Sequence, residues 1–68
     1  SVNGLVFCLV ATPEEIFKKA IDLEKDSIVF YVGLQELVPQ SLGKEKVNQI
    51  IAQEMSHVRL LSDQLKSL

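Results

Sequence analysis

The chain's 68 residues make at most one small domain, and 7 basic against 9 acidic side chains leave a net charge of −2. Scattered basic residues with no stripe or aromatic platform exclude the electrostatic footprint of a nucleic-acid binder. The longest apolar run, Leu5 to Ala11, is far too short to span a bilayer.

The chain is 47% hydrophobic and lacks Trp. That is more apolar surface than a pair of helices hides alone, so a partner surface is expected. The single Cys8 excludes an internal disulfide and any CxxC metal knuckle, and it reads as a small buried hydrophobe. No basic residue precedes the apolar run as in a secretory signal, and a cytoplasmic location is expected. Ser1 in place of an initiator methionine predicts a chain that is processed or belongs to something longer.

Residues 1–11 form an apolar lead segment. Leu5, Val6, Phe7, Cys8, Leu9 and Val10 follow Gly4 without clean alternation, a β-prone run expected to lie against the helices or a neighbouring subunit.

Residues 12–68 predict two helices. The first opens on Thr12 as N-cap, Pro13 at the first helical position and Glu15 completing a capping box. Its apolar stripe is Phe17, Ala20, Ile21, Ile28, Tyr31 and Val38, with Glu24 at the centre. On the far side Lys18, Lys19, Asp22, Lys25 and Asp26 give way to Val29, Phe30, Gly33 and Leu37. The second half of this helix therefore has two apolar faces, covered by an assembly partner or by the lead segment. Val38-Pro39 stops the helix, since a residue before proline avoids the α region. Ser41 is a candidate cap for a second helix from about Lys44 to about Ser67. A connection this short predicts an antiparallel two-helix hairpin.

The second helix carries Glu54 and His57 one turn apart. Val47, Ile50, Ile51, Val58, Leu61, Leu65 and Leu68 fall within about 60° of Glu54 on a helical projection, and so does His57. Glu24 stands about as far before the turn as Glu54 and His57 stand after it, agreeing to within a turn at about 1.5 Å per residue. Acid and imidazole side chains in an apolar stripe are costly unless paired. Singly, each has a plain alternative: a glutamate at the rim with its head in water, a satisfied interface histidine, a packed Tyr31. Together they suggest a divalent metal. Two hairpins packed face to face would gather four carboxylates and two imidazoles, which two cations would neutralise. That donor set suits iron, manganese or zinc and not calcium, and carboxylates bridging metals about 3.5–4 Å apart permit two-metal chemistry.

The stretch Ala20-Ile21-Asp22-Leu23-Glu24-Lys25-Asp26-Ser27-Ile28-Val29-Phe30-Tyr31, followed by Ile51-Ala52-Gln53-Glu54-Met55-Ser56-His57, resembles the rubrerythrin branch of the ferritin-like proteins. In that family a metal-ligating Glu is followed seven residues later by Tyr, and the next helix carries Glu-x-x-His. The resemblance covers about residues 13–66. It implies an all-α fold, half of a ferritin-like four-helix bundle completed by a second chain or by missing sequence. It further implies two iron ions per assembled bundle, held by Glu24, Glu54 and His57, with Tyr31 donating a hydrogen bond to a carboxylate. Two departures stand out. The family usually supplies four helices from one chain, and rubrerythrins carry a four-cysteine iron site for which this chain has no residues.

Two functions follow as expectations. The first is a di-iron oxidoreductase, a peroxidase or ferroxidase, acting on peroxide, dioxygen or ferrous iron as a homodimer with an external electron donor. The second is a non-enzymatic helical dimerisation module whose metal is structural or absent, with Glu24 and His57 only fixing register.

Overall fold

The protein is all-helical. A computed structural model describes residues 2–68, the side chains of Val2 and Cys8 lying outside that description, and with them the expectation of a buried Cys8. Helix α1 spans Val2–Val10, α2 Pro13–Leu37 and α3 Lys44–Lys66, with a 3-10 turn at Gln40–Leu42 between the two long helices.

The lead segment is a helix, which corrects the β-prone reading. A contiguous apolar run has no period that separates helix from strand. A strand needs a neighbour's backbone, and none of the described residues forms one; a helix satisfies its own groups, here as far as the Ala11 N–H donating to the Phe7 carbonyl at 2.8 Å. The helix stops because Thr12, ahead of Pro13, is extended with φ −74° and ψ 160°.

That same Thr12 starts α2. Its hydroxyl accepts from the Glu15 N–H at 3.2 Å, and Glu15 Oε1 accepts from the Thr12 N–H at 3.1 Å, the reciprocal bonds of a capping box. Donation from the Thr12 backbone, then from its hydroxyl, holds the Glu15 carboxyl below the usual range. At the other end Val38 is extended before Pro39, with its N–H still bonded to the Leu34 carbonyl at 3.0 Å. Ser41 does not cap α3 as expected. It lies inside the 3-10 turn, and α3 starts from Gly43, whose φ of 110° is the left-handed conformation that glycine alone adopts without strain.

The two long helices pack together along their length. Gln35 on late α2 donates to Asn48 on early α3, and Glu24 in mid-α2 meets His57 in the second half of α3, so α3 runs back along α2. Only Ile21, Val47 and Ile51 are buried among the described apolar residues. The molecule measures 46 × 29 × 12 Å, and about 12 Å is the diameter of one helix with its side chains. A layer one helix thick has no second layer to close over its core. Leu68, expected on the inner stripe, lies past the end of α3 and is exposed. Among the described residues, no helix is long and apolar enough to cross a membrane.

Candidate metal centre

The structure brings Glu24, Glu54 and His57 together. Each offers one ligand atom, and those atoms lie within 4.8 Å of one another. Nδ1 of His57 is 3.5 Å from Oε2 of Glu24 and 3.6 Å from Oε1 of Glu54. Two ligands about 2.1 Å from one ion sit about 3.4 Å apart at the tetrahedral angle, close to both distances.

Position on the helices explains the burial of each. Glu24 and Glu54 face across the α2–α3 contact with 27% and 19% of their side chains exposed, whereas His57 is 55% exposed at the rim. The expectation that His57 lies within the apolar stripe is corrected to its edge, about 60° round the helix from Glu54. From there the imidazole leans back over both carboxylates.

The electrostatics favour a positive guest. Oε2 of Glu24 is buried and takes no hydrogen bond. The Glu54 carboxyl is held above the usual carboxylate range, first by hydrogen bonding with Glu24, then by burial and by the Glu24 charge, with His57 pulling the other way. Two ionised carboxylates are both acceptors and cannot bond to each other. The pair must share either a proton or a cation. A carboxylate–carboxylate–imidazole donor set fits a transition ion.

Tyr31 is half-buried two turns beyond Glu24 along α2. Its ring meets Phe30 edge to face, with centroids 5.2 Å apart at 75°, and its hydroxyl donates to neither carboxylate within the chain.

Beside the site lies a second apolar stripe that the sequence reading touched only in part. Ile16, Leu23, Phe30 and Leu37 recur every seven residues, with Ala20, Ser27 and Leu34 between them, the 4-3 spacing of a packing seam. The four are exposed, Phe30 at 64% and Leu37 at 79%. The α3-facing stripe runs one residue out of step with it, from Phe17 to Val38, so the two seams stand about 100° apart. Spacing alone would have found it. Because α2 and α3 run in opposite senses, this seam and His57 emerge on the same side of the layer. Helix α1 stands beside its first part, across a groove that Ile16, Ala20 and Leu23 line from the α2 side. It does not cover the second half of α2 that it was expected to screen.

No family model and no solved structure matches the chain. An uncharacterized protein of Archaeoglobus fulgidus is 36% identical over 55 residues, which span 81% of this chain and 86% of that protein. At that identity over that share of both chains, this protein belongs to the same family as the uncharacterized archaeal protein.

Proposed function

We propose that the chain is an antiparallel two-helix half of a ferritin-like four-helix bundle, similar to one half of a rubrerythrin site, that binds iron and acts as an oxidoreductase. The observation that carries this reading is the Glu24–Glu54–His57 cluster, with a buried Glu24 oxygen left without a hydrogen-bond partner. The one-helix thickness supports the two-copy form, since a second layer would close the exposed seam.

In this reading each copy supplies Glu24, Glu54 and His57, and two copies hold two ions, with manganese or zinc as alternatives to iron. Bound iron or manganese would supply redox chemistry, with peroxide or dioxygen as the electron acceptor and ferrous iron or an external donor as the electron source. The protein's own work is positional. Glu24 and Glu54 would hold and neutralise the ions, and His57 would contribute one nitrogen from the rim. Tyr31 orients a carboxylate through its hydroxyl once a second copy reshapes its surroundings.

The test is metal content and turnover on one sample. Purified protein should carry close to one transition ion per chain and should consume peroxide or oxidise ferrous iron. Metal-free protein that stays assembled and inert would refute the reading. A second reading draws on the exposure of His57 and its near-equal approach to both carboxylates. A protonated imidazole can bridge two acids with no metal at all, leaving a helical dimerisation module. Elemental analysis separates the two.

A further inference from the structure

Helices α1 and α2 flank an open groove of about 570 Å³, lined by Asn3, Gly4 and Phe7 from α1 and by Ile16, Lys19, Ala20 and Leu23 from α2. None of the described residues fills it. Two of its lining residues, Ile16 and Leu23, are also the first two members of the seven-residue series that continues through Phe30 and Leu37. Groove and seam are therefore one continuous apolar surface, half walled by α1 and half open.

We propose that Phe30 of a second copy docks in this groove, with the α2 helices of the two copies crossing antiparallel along their seams. The proposal rests on the two-copy reading above and names the contact that holds the pair. Chemistry selects α2 against α2. The corresponding flank of α3 carries Gln53, His57, Leu60 and Gln64. Laying the α2 seam on that mixed flank would bury two amides opposite Leu23 and Phe30, which costs free energy unless they find partners. Laying like on like keeps the apolar seam together and gathers the polar flanks around the metal site.

Register then follows from symmetry. If both half-sites share one centre, the two-fold axis passes at the level of Glu24. Phe30 lies six residues beyond Glu24, about 9 Å along the helix. In the second copy it comes over the point six residues before Glu24, between Ile16 and Ala20, where the groove opens. An apolar cavity of about 150 Å³ already accepts a benzene ring, so the groove has room for a phenyl side chain and a neighbour. The pairing also gives α1 a purpose: it is the outer wall of the pocket, and its Phe7 faces the incoming ring.

Cysteine cross-linking in full-length Cys8→Ser protein tests the register. Lys19→Cys protein mixed with Phe30→Cys protein should form a disulfide between copies, and Leu23→Cys, next to the axis, should cross-link to itself. Cross-linking of Phe30→Cys to Leu60→Cys in place of Lys19→Cys would overturn the proposal. Phe30→Glu should weaken self-association about 30-fold or more with helicity unchanged, whereas Val29→Glu, on the opposite flank, should leave it unaltered. Equal association of wild type and Phe30→Glu would also overturn it. Repeating the cross-links after chelation separates this contact from the metal reading. A 19–30 cross-link in protein that never binds metal sustains the docking and sinks the metal. Bound metal without that cross-link does the reverse.

Discussion

Nδ1 of His57 lies 3.5 Å from Oε2 of Glu24, the one buried side-chain oxygen among the described residues that has no hydrogen-bond partner. The two atoms belong to different helices and meet only because α3 returns along α2 in the observed register. A buried acceptor left unmade ordinarily costs about 1–3 kcal/mol. With Glu54 as a second acid in reach, the histidine edge is where a cation would relieve the strain of the pair.

Removing one acid should therefore act on metal and on stability in opposite directions. Glu54→Ala is expected to lose bound metal and with it any rise in melting temperature on metal addition, a rise worth about 2.7 kcal/mol when the metal is 100-fold above its dissociation constant. Glu54→Leu should melt higher than the metal-free wild type, because an apolar side chain replaces an acid facing another acid. Elemental analysis and paired thermal melts read both. Retained metal in Glu54→Ala would end the assignment of Glu54 as a ligand.

The small core makes its members disproportionately important. Ile51→Ala removes one of three buried apolar side chains, and such truncations cost about 2–5 kcal/mol. Small domains have little stability to spare. The variant is expected to lose most of its helical signal at 37 °C by circular dichroism, and a melt within a few degrees of wild type would show that the assembly, and not this contact, carries the fold.

Different parts of this arrangement were legible in the sequence to different degrees, for physical reasons. The bounds of α2 were readable because Thr12, Pro13, Glu15 and the Val38-Pro39 step each act through local sterics or a local hydrogen bond. Glu24 and Glu54 were readable because helical periodicity fixes the face on which a side chain emerges. Helix α1 was not, since a run of adjacent apolar residues carries no period and its state depends on whether another strand is at hand. The start of α3 at Lys44 was readable, but its cap was assigned to Ser41 because a hydroxyl signals a cap more loudly than a glycine does. The placement of His57 at the rim depends on how deeply α3 nestles against α2, and side-chain packing decides that depth.

The turn offers a test of backbone strain in isolation. Gly43 has φ 110°, and a Cβ built there would meet nothing within 4 Å. Gly43→Ala should thus cost about 1–2 kcal/mol from left-handed backbone strain alone, visible as a lower denaturation midpoint with an unchanged slope. A changed slope would mean that the connection between α2 and α3 has rearranged.

The cap of α2 gives a pH dependence whose sign is fixed. Glu15 has a lowered folded pKa because its carboxylate accepts from the Thr12 N–H and hydroxyl. A depressed acid contributes stability that is fully present above its unfolded value, about 4.3, and is lost as pH falls through the folded value. Helix and protein should consequently weaken below about pH 4.3 in wild type. Glu15→Gln keeps the shape of the cap but cannot titrate, so its melting temperature should fall less over the same acid range. Thr12→Ala removes the hydroxyl but leaves the backbone N–H at position 12, at a cost of about 1 kcal/mol at neutral pH, and should reduce the acid dependence only in part. Thermal melts of the three proteins between pH 3 and 7 decide it: parallel curves for wild type and Glu15→Gln would place the acid sensitivity elsewhere in the chain.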